Sequence, residues 1–148
     1  MGTQEQTEAR QRWMGLAAKA PVADLAALLP DLPAHELLRG PEVGTVMVRG
    51  RAGGVGTAFN LGEVSVTRCA LRLEDGAVGH AYVQGRSRDH AVRAAVLDAL
   101  MQGAGAARIE AEVLAKLEAA AAQRARVRAE KAAATKVEFF TMVRGEAE

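Results

Sequence analysis

The sequence predicts an α+β fold, an antiparallel three- or four-stranded meander packed with N-terminal and C-terminal helices. Apolar residues recur at helical spacing up to about residue 40 and again after residue 86. Between Pro41 and Gln84 the spacing contracts to two and β-branched residues accumulate. Glu74-Asp75-Gly76 breaks that middle stretch with turn-forming residues. A chain of 148 residues, 49% hydrophobic, suits one domain with one core. Its parts are a helical N-terminal part (1–40), a β meander (41–85) and a helical C-terminal part (86–148) that ends in a partner-docking tail.

The first helix runs from Gln4 to about Lys19, with Trp13, Leu16 and Ala17 on one stripe and Glu8, Arg10 and Arg12 elsewhere, and Pro21 ends it. A short second helix covers Val22 to Leu29, and Pro30 and Pro33 delimit a turn before a third helical piece from Ala34 to Leu38. After Pro41, Val43, Thr45 and Met47 alternate with Gly44, Val46 and Val48 as a first strand. A second strand spans about Glu63 to Leu73, and a third, Val78 to Gln84, is read as the central strand, on which His80 alternates with Val78 and Tyr82. Asp89 caps a helix from His90 to about Gln102 that only Arg93 and Asp98 interrupt with charge, so it is either central to the fold or buried between subunits. Gly103 and Gly105 close it. The last helix opens near Ala106 and reaches about Thr135, roughly 45 Å at about 1.5 Å per residue. Ile109, Val113 and Leu117 dock its first half, whereas the alanine-rich stretch from Ala119 to Ala134, bearing Arg124, Arg126, Arg128 and Lys131, projects from the domain.

Two stretches carry more charge or oil than a lone domain needs. In the second strand Arg68 and Arg72 share a face with Val64, Val66 and Ala70, opposite Thr67, Cys69, Leu71 and Leu73, so neither face reads cleanly as solvent-facing. A covering chain, an anionic ligand or a face-switching β-bulge would each account for that. The tail from Val137 to Gly145 is apolar where a terminus is usually polar, and it either folds back on its own core or docks on a partner through Phe139, Phe140, Met142 and Arg144.

The segment from Arg49 to Arg68 is the candidate anion-binding or interface element. Gly53, Gly54 and Gly56 lack a Cβ and can expose consecutive N–H groups of the kind that cradle phosphate-like oxygens. Arg49 and Arg51 flank them with forked guanidinium groups, and Arg68 and Arg86 extend the set. The plainer reading is a hairpin turn with two solvated arginines. Arg86-Ser87-Arg88-Asp89 could likewise hold an anion at a helix N-terminus, but a capping Asp89 would occupy the same N–H groups.

Composition narrows the chemistry. Lys+Arg 19 against Asp+Glu 18 gives a net charge of +1, which argues against phosphate-driven nucleic-acid binding, and one Trp, one Tyr and three Phe make no base-stacking platform. Cys69, the single cysteine, excludes an internal disulfide or a thiolate metal site built by this chain alone. His35, His80 and His90 stand at no metal-ligand spacing, and Ser65 and Ser87 lie in no nucleophile motif. No catalytic residue is assigned. The polar start, Met1 to Arg12, lacks a signal-peptide core, and no apolar run reaches the ~20 residues of a membrane span, so a cytoplasmic protein is expected.

Taken together the motifs resemble the G subunit (PhnG) family of the bacterial carbon-phosphorus lyase core complex. The resemblance rests on Arg10-Gln11-Arg12-Trp13-Met14, Pro41-Glu42-Val43-Gly44, Arg51-Ala52-Gly53-Gly54-Val55-Gly56, Phe59, Gly62, Thr67-Arg68, Arg72-Leu73 and Asp75-Gly76. Its most specific parts are Val83-Gln84-Gly85-Arg86, His90-Ala91, Asp98-Ala99-Leu100-Met101-Gln102 and the tail Phe139-Phe140-Thr141-Met142-Val143-Arg144-Gly145. The alanine-rich stretch departs from the family pattern.

The resemblance implies an accessory subunit of a cytoplasmic assembly with the H, I and J subunits, two copies of each, that lets cells use phosphonates as a phosphorus source. In its first committed step methylphosphonate displaces adenine from C1′ of ATP, giving α-D-ribose 1-methylphosphonate 5-triphosphate. The nucleosidase-like chemistry would belong to the I subunit. Radical cleavage of the carbon–phosphorus bond would belong to the J subunit with its iron-sulfur cluster and S-adenosylmethionine, leaving this chain without a cofactor. Two rival readings are a direct phosphate- or nucleotide-binding subunit at an intersubunit active site, and an unrelated homodimeric binding module whose seam is the apolar helix from His90 to Gln102.

Overall fold

Alternating apolar residues and two turns build one antiparallel sheet in the computed structural model, which describes residues 2–137. The strands β1 (His35–Arg51), β2 (Ala58–Leu73) and β3 (Val78–Gln84) pair in the order β1-β2-β3. Helices α1 (Gly2–Lys19) and α2 (Val22–Leu28) precede the sheet, and α3 (Arg88–Leu100), α4 (Ala106–Ile109), a π-helical turn (Glu110–Leu114) and α5 (Ala115–Ala134) follow it. The α+β meander read from the sequence is the architecture observed.

The inner face of β2 carries Thr67, Cys69, Leu71 and Leu73, all buried, beside Ala81 and Val83 of β3. Helix α3 lies across this face with Ala91, Ala94, Ala95, Val96, Leu97 and Ala99 buried, so its apolar circumference is spent inside the chain's own core. Of the two readings of this helix the central one is observed, and the rival homodimer seam loses its apolar surface. The helix comes so near β3 that a Cβ on Gly79 would stand 1.9 Å from the Ala95 carbonyl oxygen, and only glycine fits there. Ala17, Ala20, Leu25, Leu29, Ile109, Val113, Leu114 and Leu117 complete the core. No residue of β1 belongs to it.

Asp98 joins three of these elements. Its carboxylate is fully buried and accepts from Arg10 Nε (3.1 Å) and Nη2 (2.8 Å), from Trp13 Nε1 (2.9 Å) and from the backbone N–H of His80 (2.9 Å). Gln102 Nε2, two residues past α3, donates to the carbonyl of Val78 at 2.9 Å and so satisfies β3 along the edge that no strand covers among the described residues.

Four local expectations are corrected. Ala34 to Leu38 is not helical: from His35 onward it is the start of β1, with Glu36 opposite Arg72 and Leu37 opposite Leu71. A five-residue helix between two prolines gains too few internal bonds to outweigh that ladder. Strand β2 begins at Ala58, five residues before Glu63, because the hairpin continues past the Gly62 bulge region. Ser87, not Asp89, caps α3 through its side chain (3.2 Å to the His90 N–H), while Asp89 pairs with Arg93 at 2.8 Å. The last helix is broken by the π turn, which brings both Val113 and Leu114 inward.

Candidate functional site: a β ribbon with both faces uncovered

Strand β3 pairs with β2 only from Val66 to Arg72, so among the described residues β2 from Ala58 to Ser65 has β1 as its sole strand neighbour. The outcome is a two-stranded ribbon extending about 25 Å past the three-stranded body at roughly 3.3 Å per residue. Such a ribbon is marginal in water without a covering layer. Its sequence nevertheless exposes apolar side chains: Val46 faces Val64 across the ladder, and Phe59 and Leu61 flank Gly50, whose ideal Cβ would lie 3.8 Å from the Phe59 ring. Leu61 is 67% exposed, Met47 48% and Phe59 45%. Isolated exposed apolar residues are ordinary, but a run of them along an unsupported ribbon marks an interaction surface.

Toward the body the outer sheet face turns polar. Arg68 meets Glu42 at 3.1 Å and Arg72 meets Glu36 at 3.6 Å, both as cross-strand pairs. This resolves most of the ambiguity of the second strand: Thr67, Cys69, Leu71 and Leu73 form the core face, and on the opposite face Arg68 and Arg72 are each given a carboxylate by β1, while Val66 is buried.

The candidate anion-binding residues fall in three places. Arg49, Arg51, Gly53, Gly54 and Gly56 gather at the ribbon tip, where Gly53 (φ 60°) and Gly54 (φ 78°) take the left-handed conformations expected of them. The N–H groups of Val55 and Gly56 bond inward to the Ala52 carbonyl, so those two amides close the turn instead of facing outward. Arg49 and Arg51 border a hollow of about 360 Å³ with Gly50 and Ala58, and neither has an ion-pair partner among the described residues. Arg68 stands opposite Glu42, nine residues along β1 from Arg51 and hence about 30 Å from it. Arg86 follows Gly85, whose N–H donates to the Ser65 carbonyl at 2.8 Å, so it sits where the ribbon leaves the body. Phe139, Phe140, Met142 and Arg144 lie outside the described residues.

The remaining chemistry-bearing groups are held structurally. His90 is buried and its Nε2 donates to the Ala17 carbonyl at 2.8 Å, which fixes the proton on that nitrogen. His35 Nδ1 donates to the Pro33 carbonyl at 2.8 Å. His80 is exposed on the edge strand β3; β2, not the strand that carries His80, is the centre of the sheet. Burial pushes the Cys69 thiol above its ordinary range. Among the described residues no three metal-ligating side chains cluster, and no helix is long and apolar enough to cross a membrane.

Sequence reasoning singled out the tip but missed the apolar ribbon behind it and a second hollow, of about 630 Å³, between β2 and the α1–α2 turn. The ribbon's signal was present in the alternation from Ala58 to Leu61 after the last tip glycine. The second hollow had none, because its walls come from residues far apart in the chain.

Comparison with known proteins places this architecture. A family model described as "Phosphonate metabolism protein PhnG" matches residues 8–145. The chain is 45% identical over 144 residues to the "Alpha-D-ribose 1-methylphosphonate 5-triphosphate synthase subunit PhnG" of Rhizobium meliloti (strain 1021), covering 93% of this chain and 90% of that protein. On both grounds the chain belongs to the PhnG family.

Proposed function

We propose that this chain is the accessory G subunit of an α-D-ribose 1-methylphosphonate 5-triphosphate synthase. It supports transfer of the ribose triphosphate moiety of ATP to methylphosphonate, with release of adenine, inside a cytoplasmic assembly with H, I and J subunits, two copies of each. ATP is a substrate of that assembly. The chain itself brings no cofactor; an iron-sulfur cluster and S-adenosylmethionine belong to the J subunit. The likeness to a named synthase subunit supports this role. The observation that carries it is the ribbon, apolar and open on both faces, which suits a surface finished by neighbours. The tail residues Phe139, Phe140, Met142 and Arg144 serve as a second docking element.

The test is reconstitution. Coexpressed with the H, I and J subunits, the chain copurifies, and adenine release from ATP and methylphosphonate falls to background when it is omitted. Turnover by the purified chain without partners would overturn the accessory role.

A second reading is direct phosphate contact by Arg49 and Arg51, favoured by their lack of carboxylate partners at the tip hollow. In that case Arg51→Ala raises the KM for ATP while the assembly stays intact. Loss of assembly in Arg51→Ala would instead return the tip to a docking role.

A further inference from the structure

The free edge of β2 has the features of a site for strand addition. Among the described residues the last group used on that edge is the Ser65 carbonyl, which accepts from the Gly85 N–H at 2.8 Å. In an antiparallel strand the N–H and C=O of one residue point to the same side and alternate residues share a side. The N–H and C=O of Glu63 therefore face the same edge as Ser65, and among the described residues no third strand covers them.

A hollow opens at the same point. It measures about 630 Å³ and its walls are Val64 and Val66 of β2, Tyr82 of β3, and Lys19, Pro21 and Val22 of the α1–α2 turn. A strand continuing the line of β3 along β2 would pass over this hollow and lower alternate side chains into it. Its walls are largely apolar and wide enough for one large aliphatic or aromatic side chain.

Charge selects the occupant. From Val43 to Val66 the ribbon holds Arg49 and Arg51 against the single carboxylate Glu63. Lys19 at the rim, like both arginines, has no ion-pair partner among the described residues. A segment with a carboxylate beside its apolar residue complements all three cations. A second copy paired edge to edge about Glu63 would set like carboxylates opposite each other, which is unfavourable.

We propose that an extended, acidic and apolar segment of a neighbouring subunit adds as a fourth strand along β2 at Glu63, with one large side chain in the Val64–Val66–Val22 hollow. This rests on the reading of the chain as a synthase subunit. It adds the place, the mode and the chemistry of one contact.

The experiment uses the coexpressed assembly with the H, I and J subunits. Hydrogen exchange of residues 61–65 is followed in the isolated chain and in the assembly, and Glu63→Pro is compared with Glu63→Ala. Proline removes the outward N–H and is tolerated at a strand edge, whereas alanine removes only the charge. Exchange of residues 61–65 is expected to slow at least about tenfold on assembly. Glu63→Pro copurifies at least about tenfold less well than Glu63→Ala, with both isolated variants folded by circular dichroism. Equal exchange in the two states of an intact assembly would overturn the proposal and leave the subunit role standing. Failure of the wild-type chain to copurify would overturn both. Protection already present in the isolated chain assigns the edge to another occupant and also overturns it: a second copy if it grows with concentration, or this chain's own residues 138–148 if it vanishes on their deletion.

Discussion

The guanidinium of Arg10 grips both oxygens of the buried Asp98 carboxylate, at 3.1 Å from Nε and 2.8 Å from Nη2, across 88 residues of sequence. Trp13 and the backbone of His80 take the remaining acceptor positions, so helix α1, helix α3 and strand β3 share one carboxylate. Removing the acceptor leaves the Trp13 and His80 donors and the Arg10 charge without their partner. Asp98→Ala is expected to lower stability by about 3–5 kcal/mol, the cost of breaking a buried pair from one side. Urea unfolding measures it. A loss below about 1 kcal/mol would mean that water replaces the carboxylate.

The approach of α3 to β3 gives a second prediction. A Cβ at position 79 would overlap the Ala95 carbonyl at 1.9 Å and come within 2.9 Å of the Ala99 nitrogen, both rigid backbone atoms of a central helix. Gly79→Ala must move the helix or bend the strand, at about 3 kcal/mol, the upper part of the range for overpacking. The melting temperature falls accordingly. Gly62→Ala, with open space around its Cβ, serves as the mild control.

Acid dependence follows from Arg12. Its guanidinium donates to Glu110 at 2.8 and 3.2 Å and to Glu118 at 2.8 Å, clamping α1 to the π turn and α5. The hydrogen bond from Arg12 holds the Glu110 carboxyl below its usual range, partly opposed by desolvation. A carboxyl lowered in the folded state contributes stability above its unfolded pKa and loses it as pH falls through the folded value. Because the groups are solvent-accessible, the contribution is at most about 1 kcal/mol. Arg12→Ala should therefore cost roughly that much at pH 7 and nothing measurable near pH 2, as read from unfolding midpoints at the two values.

Cys69 supplies a probe of the core. Burial raises its thiol above the ordinary range, so the reactive thiolate is scarce and the sulfur is covered by α3. An aromatic disulfide reagent should modify it only at the rate of global opening. Stoichiometric labelling within seconds under native conditions would show that the sheet and α3 separate readily. The linkage has the opposite sign to that of Glu110: stability is full below the unfolded thiol pKa and declines as pH rises toward the folded one.

Much of this fold was legible because it is written locally. The period of two from Val43 to Val48, the Glu74-Asp75-Gly76 turn and the apolar circumference of α3 each sit within a dozen residues, and each marks the element observed. The beginning of β1 was not, since Ala34 to Leu38 carries helix-forming residues and its strand state depends on pairing with β2 more than thirty residues later. Bulges at Leu38 and Gly40-Pro41 further break the alternation that would have signalled it. Asp98 read only as a charge interrupting an oily helix, because its partners lie in α1. Yet Arg10, Trp13, Asp98 and Gln102 all lie in two of the motifs that carried the resemblance, and the structure shows why they belong together. Of the candidate site, residue types located the tip but not its distance from Arg68, which is set by the register of a ladder.

Strand β1 puts no side chain into the hydrophobic interior. Folding of the body thus exerts little hold on what its seventeen positions contain. Replacing the ribbon from Thr45 to Ser65 by a tight turn is expected to leave an intact globule that melts as before yet no longer joins its assembly. The appendage is accordingly free to change in step with whichever surface it meets, and two such proteins could keep the same interior while choosing different company.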